Sequence, residues 1–477
     1  MNILNRNFLL LKSLSFMNEQ TKLKDPFHIF TPCLPLVCSL AASFFTILIL
    51  QVFFTESFLS THWKVMAMAA TISACLTAAS MLLISKNIFS MSTWFQCLFV
   101  VIFVAVAGNT LYNLFHFIPY GDAYTIVATI AKNEVFPRWF LGSAVLNRIF
   151  HSLWPTVGPF LPQNLVGADG FIKIIGAAFM TGTSIMLLRR YGARFQLLIP
   201  LLSPVWLLFC SGYLEYYPFI AWVYMLFLLL LSSELDKQSP QTIAIISSLI
   251  CLSYGAFIPM VLLLIFFYGL STNIKDFFRA NLLTGAICVS CLILLWPDTL
   301  LSFFSSFLRE MNLGETNILF KPYINKSSGP LSPFFSLSYA FSYEHIFHLC
   351  FMFFFGAGPI LPLLFVGIFW FGWKKKRFQM FQNANPAPAL LVCLILQVLY
   401  FWFMLPKLGP VQDIDLFFTV YLIFGFIAGM LLDTILESTS SGMCNICKQG
   451  IIASMLSSSS VILVHMLCIG FHSVSLN

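Results

Sequence analysis

Long apolar runs separated by short polar turns fill almost the whole chain. The runs near 33–54, 64–84, 95–118, 170–188, 196–213, 217–233, 242–256, 257–271, 281–297, 347–373, 388–406, 416–434 and 451–471 read as helices. A helix needs about 20 residues to cross a bilayer, and most of these runs approach that length. The pair across 242–271 is short, with Tyr254, Gly255 and Pro259 between its halves. It reads as two helices, because two crossings keep the later basic residues on one side. The expected fold is therefore an all-α polytopic membrane protein of about 13 transmembrane helices.

The polar positions orient these runs. Basic residues collect on the cytoplasmic side of membrane proteins. With the basic N-terminus inside, Lys86, the group Arg189, Arg190 and Arg194, then Lys237, Lys275 and Arg279 all fall inside. So do the block Lys374 to Arg377 and Lys448. The first 26 residues carry Arg6, Lys12, Lys22 and Lys24, and no A-x-A-like site follows the first run. That run is expected to be a retained span and not a signal peptide. Residues 1–32 form a cytoplasmic segment, 33–94 a transmembrane hairpin, 95–435 a core, and 436–477 an inner loop with the last helix. The expected location is a bacterial inner (cell) membrane, with the N-terminus cytoplasmic and the C-terminus outside.

Composition agrees. Hydrophobic residues make up 59% of the 477 residues and charged residues 9%. Soluble chains average about 45–50% and about 25%. So little charge cannot cover a water-facing surface, and most of this surface must face lipid. The 54 Phe residues fit lipid-facing bulk and interfacial belts. No basic run with interleaved aromatics points to nucleic acid. Most of the 13 cysteines lie inside apolar runs, where thiols act as small hydrophobes. A single C-x-x-C, Cys444 and Cys447, is weak as a redox or zinc signal. Ser457 to Ser460 form a polar run inside the last span, expected to pack against a neighbouring helix.

With this orientation, four segments gather at the outer face: 119–169, the turn 211–218, the long loop 298–346, and 407–415. They hold the candidate chemistry. Asp122 follows a span directly, and a carboxylate at the membrane edge is costly enough to suggest function. A solvated loop acid is the plain alternative. After it, Ile126, Val127, Ile130 and Ala131 have the spacing of a helix lying in the interface, which Pro137 would end before Arg138. Glu215 sits among Tyr213, Tyr216 and Tyr217 in a turn too short to leave the membrane. Rings beside a carboxylate suit a sugar face or an aromatic girdle. Asp413 and Asp415 precede a span, where they bind substrate or cap a helix. The long loop carries Arg309, Lys321 and His345; its cations suit a phosphate. His345 also reads as a structural hydrogen-bonder. Nucleotide-binding, zinc-protease and serine-hydrolase motifs are absent, and the histidines show no metal-ligand spacing. Mid-span charges are few: Lys173 and Asp433 lie near span ends, where long side chains snorkel. That distribution favours chemistry at the outer interface over a path through the membrane.

These residues resemble the GT-C class of integral membrane glycosyltransferases, which includes the protein O-mannosyltransferase and lipid A aminoarabinose transferase families. The resemblance covers roughly 95–435. It rests on Tyr120-Gly121-Asp122-Ala123-Tyr124 with Pro137-Arg138, on the turn Ser211 to Pro218, and on Leu408 to Phe417. The last is similar to a G-x-x-R-D-W-D-L-F-like segment, with Gln412 in place of the Arg and Ile414 in place of the Trp. The acidic loop follows the third run here, whereas in the family it follows the first, and no large C-terminal outer domain is expected from these residues. The resemblance implies a polyprenyl-phosphate-linked sugar donor and a lipid, glycan or protein acceptor. It makes Asp122 the catalytic residue, as base or as the group that orients the acceptor. Tyr124, Arg138, Tyr213, Glu215, Tyr216, Arg309, Lys321, His345, Asp413 and Asp415 become substrate-binding residues. Cations or a divalent metal would stabilise the leaving phosphate, and no other cofactor is expected. The competing readings are a transporter or flippase, which needs polar residues along a central path, and a non-catalytic GT-C-like scaffold.

Overall fold

The computed structural model describes residues 34–53, 149–160, 168–232, 274–295, 340–374, 388–403, 417–437 and 441–468, less a few positions within these ranges. Short pieces at 239–247, 297–301 and 324–330 are also described. The described chain is helical, apart from a ladder of two residues per strand in which β1 (Ile324–Asn325) pairs antiparallel with β2 (Gly329–Pro330). Among the described residues, two helices are long and apolar enough to cross a membrane, Ile172–Tyr191 and Phe418–Leu436. A bent pair, His345–Ala357 with Ile360–Ile368, makes a third if it is one span. The molecule is a helical membrane protein. Helices suit that setting because each backbone N–H finds its partner within the segment.

Burial is inverted relative to a soluble bundle. On α1 (Leu34–Phe53) the exposed stripe is Val37, Leu40, Phe44 and Leu48. Its buried positions include Ser39, Ser43 and Thr46. On α8 (Ile360–Lys374) Leu363, Val366 and Trp370 are exposed, and on α9 (Pro388–Phe403) Leu391, Ile395 and Leu399. Apolar stripes at helical spacing on the outside fit lipid, not water.

The buried hydroxyls of α1 meet the serine run of α11 (Ser441–Cys468). Ser39 and Ser457 are hydrogen-bonded through their hydroxyls, and the Thr46 hydroxyl lies 2.8 Å from that of Ser458. Ser454 donates to the Cys38 carbonyl at 3.5 Å. Later residues of α1 meet later residues of α11, so the two helices run parallel. Lipid offers no hydrophobic drive between helices, so close packing of small residues and hydroxyl contacts take its place. The serine run packs as expected.

α10 (Phe418–Glu437) lies across α3 (Phe195–Leu201) on a stripe with a spacing of four: Gly425, Gly429 and Asp433. A Cβ on Gly429 would overlap the Phe195 carbonyl, and one on Gly425 would lie 3.2 Å from Pro200 backbone. Asp433 ends the stripe. Its two carboxylate oxygens accept from Phe195 N at 3.0 Å and Gln196 N at 3.1 Å. The N-cap of α3, Arg194, makes no side-chain cap bond, so α10 supplies the cap that the local sequence lacks. Asp433 is therefore a helix cap rather than a snorkelling acid.

Two runs expected as single spans are broken. The run 196–213 is α3 followed by α4 (Pro204–Cys210). Ser203 caps α4 through Trp206 N, and Pro204 occupies its first turn, where a missing N–H costs nothing. The run 347–373 is α7 (Tyr343–Ala357) followed by α8, bent by 92°. Gly358 sits at φ +83°, and Pro359 disfavours a helical residue before it. The breaks meet: a Cβ on Gly358 would lie 3.3 Å from Pro204, and Ser459 of α11 donates to the Leu202 carbonyl at 2.5 Å. The remaining helices are α2 (Ala168–Tyr191), α5 (Tyr217–Ser232) and α6 (Ile274–Leu295). Lys275 and Arg279, expected in an inner loop, fall inside α6.

Candidate functional site

Aromatic contacts tie several helix ends together at one end of the bundle. Phe209, in the last turn of α4, packs on Tyr213 with ring centroids 5.4 Å apart, and on Phe418 at 6.0 Å. Tyr217, the first residue of α5, also meets Phe418, at 6.1 Å. Phe401, near the end of α9, stands edge-on to Phe417 at 5.0 Å. The end of α4 and the starts of α5 and α10 therefore share one level with the end of α9. Such aromatic pairs contribute about 0.5–1.5 kcal/mol each beyond area burial.

The start of α7 joins the same end. His345 is buried, and its Nε2 lies 2.7 Å from the Trp402 carbonyl of α9. A carbonyl can only accept, so Nε2 carries the proton in this bond. The His345 backbone N–H donates to Ser342 Oγ at 3.2 Å, which caps α7. One turn deeper, Thr419 donates to Gln397 Oε1 at 2.5 Å.

The segment before α2 also belongs here. Residues 149–150 and 152–157 are helical and end in a 3₁₀ turn, Gly158–Phe160. Phe150 is buried against Phe219 of the first turn of α5, and Phe219 meets Phe179 of α2 at 4.6 Å. α2 runs antiparallel to α4. Trp206 Nε1 donates to Ser184 at 2.9 Å, and a Cβ on Gly176 would lie 3.7 Å from the Tyr213 carbonyl.

Four segments thus leave the bundle at this rim: the end of 119–169, the turn 211–216, the end of 298–342, and 404–416. They carry the sequence candidates, although Asp122, Tyr124, Arg138, Glu215, Tyr216, Arg309, Lys321, Asp413 and Asp415 lie outside the described residues. Two candidates are described. Tyr213 is 1% exposed and packs on Phe209; its ring is enclosed by protein. His345 is equally enclosed and bridges α7 to α9. Both hold the rim together from below. Hydropathy and spacing gave no sign of their burial, because burial depends on helices far away in sequence.

Sequence reasoning misplaced a second charge, after Asp433. Lys173, expected to snorkel to water, is only 8% exposed near the rim end of α2. Among the described residues no group of three or more His, Cys, Asp and Glu forms a metal site. Cys444 and Cys447 fall one turn apart inside α11. Comparison of the chain with protein-family profiles, with curated proteins and with solved structures finds no match to any of them.

Proposed function

We propose that this protein is a multi-pass glycosyltransferase that moves a sugar from a polyprenyl-phosphate carrier to an acceptor at the non-cytosolic rim of a bacterial inner membrane. One observation carries the reading: four separate segments, holding nearly all the candidate acids and cations, are rooted at a single end of the bundle. The opposite end of α2 carries Arg189 and Arg190 in its last turn, as the positive-inside rule requires of a cytoplasmic end. Parallel first and last helices accord with an odd number of spans, thirteen in this reading.

In this mechanism the acceptor hydroxyl oxygen bonds to the anomeric carbon as the bond from that carbon to the phosphate oxygen breaks. Asp122 takes the hydroxyl proton as general base. Arg138, Arg309 and Lys321 stabilise the charge that develops on the departing phosphate. Tyr124, Glu215, Tyr216, Asp413 and Asp415 hold sugar or acceptor, and Tyr213 and His345 position the segments that bear them.

The test has two arms. A cysteine at position 122 reacts with a membrane-impermeant maleimide from outside the cell, and Asp122→Asn lowers transfer by about 10²–10⁴-fold. Labelling only from the cytosolic side, or full transfer by the Asn variant, overturns the proposal. A transporter is the second reading. It is favoured by the meeting of two helix breaks, a geometry that transporters use at substrate sites. It predicts solute flux that survives Asp122→Asn.

A further inference from the structure

We infer that the turn between α2 and α3 is a docking surface for an anionic diacyl phospholipid. Arg189, Arg190 and Arg194 take its headgroup phosphate, and the Gly182–Met186 face of α2 lies along its chains. The surface is at the end of α2 away from the aromatic rim, and the inference does not depend on the transferase reading.

Three guanidinium groups fall within the six residues 189–194. Arg190 and Arg194 are exposed and Arg189 is half-buried. Among the described residues, none of the three guanidinium groups makes a hydrogen bond or an ion pair. Like charges this close repel one another, and an anion between them relieves the repulsion. The turn that carries them is fixed at both ends. Gly192 reverses the chain at φ +81°, and Arg194 N donates to its carbonyl at 2.9 Å. Beyond the turn, Asp433 holds the amides of Phe195 and Gln196. Before it, Ser184 is tied to Trp206. A surface fixed in advance loses less freedom when a ligand arrives.

The face of α2 that leads to this turn is apolar and open. Ser184 marks the side turned to α4. A helix turns about 100° per residue, so Gly182 and Met186, each two residues from Ser184, lie across the axis from it. Met186 is 64% exposed. A Cβ on Gly182 would meet no atom within 4 Å, so the helix surface is notched there. Arg189 and Arg190 follow Met186 by three and four residues and end the same face. In a helical membrane protein this face meets acyl chains, and long arginine stems carry their charge to headgroup level. The positive-inside rule places basic residues at such an end. It acts while the chain inserts and asks nothing of the folded turn, whereas a lipid site needs free guanidinium groups on a fixed turn above an open apolar face.

The experiment uses the full-length protein, delipidated in nonionic micelles, with binding read as the shift of the thermal midpoint. Dioleoyl phosphatidylglycerol is titrated beside dioleoyl phosphatidylcholine, and inorganic phosphate is titrated at matched ionic strength. Wild type is expected to saturate with phosphatidylglycerol alone. R190Q and R194Q each raise the half-saturating concentration by about fivefold, and R189Q/R190Q/R194Q by about a hundredfold, from the effect of one basic residue near an anionic surface. R279Q, an exposed arginine of α6, stays within about twofold of wild type. G182L fills the notch and raises the concentration by about fourfold or more, the loss of one buried chain methylene. Mass spectrometry of the intact protein should find one more phosphatidylglycerol retained by wild type than by the triple variant. The single variants alter exposed side chains and keep the test intact if the triple variant does not fold. The inference is overturned by arginine variants that titrate as wild type, by an equal response to phosphatidylcholine or to inorganic phosphate, by an R279Q loss as large as that of R190Q, or by an unchanged G182L. Neither result bears on the role of Asp122.

Discussion

Replacing Gly429 with Ala tests the packing between α10 and α3 most directly. A Cβ at this position would overlap the Phe195 carbonyl and the Gln196 Cα. Both belong to the backbone, so no change of rotamer relieves the clash. Carbon atoms settle at about 3.5–4.0 Å, and reaching that range moves the helices apart by roughly 1 Å. Overpacking of this kind costs about 1–3 kcal/mol. The same movement stretches the Asp433 bonds, now 3.0 and 3.1 Å, beyond hydrogen-bond length. A lost helix cap adds about 1 kcal/mol. G429A is therefore expected to destabilise the protein by about 2–4 kcal/mol. The assay is reversible unfolding in mixed micelles titrated with a denaturing detergent, for wild type, G429A, D433N and the double variant. G429A already breaks the cap, so the double variant should cost about 1 kcal/mol less than the sum of the singles. A G429A protein within about 0.5 kcal/mol of wild type, or strict additivity, refutes the reasoning.

Two further outcomes follow from the packing. In a background without the 13 native cysteines, a pair at 39 and 457 should oxidise to a disulfide, because the parent hydroxyls bond across α1 and α11. A pair at 39 and 466, which only an antiparallel arrangement would bring together, should stay reduced on the same gels. Gly356→Ala would drive a Cβ into the Tyr421 ring and is expected to cost about 1–3 kcal/mol, measured as a lowered thermal midpoint. Adding Tyr421→Leu should restore most of the loss, since it removes the ring that the methyl meets.

Hydropathy alone located several helices well. The run 217–233 is α5, 388–406 is α9, and 416–434 is α10, each within a few residues. Hydropathy averages over side chains and is blind to the backbone. It therefore carried two runs straight through Ser203 and Gly358, where the chain leaves the helix. Pro204 and Pro359 mark both places in the sequence. A proline signals a break only where the residue before it actually leaves the helical region, and Pro200 sits inside α3. The serine run of α11 was legible because hydroxyls in lipid need partners; the identity of those partners, Ser39, Thr46 and the Leu202 carbonyl, was not.

The two isolated charges, Lys173 and Asp433, separate what spacing can tell from what packing must add. Both lie near the ends of apolar helices, and one-dimensional reasoning sends both to water. Asp433 instead reaches the first two amides of α3, more than 230 residues earlier, through a stripe whose glycines bring the backbones together. Its charge completes a helix end, so a structural role accounts for it. Lys173 lies on a comparable face, yet the face points to the rim where Tyr213, Phe209 and Phe418 gather the loop roots. A carboxylate that caps a helix is satisfied by the fold itself, and only the packing of two helices distant in sequence makes that visible.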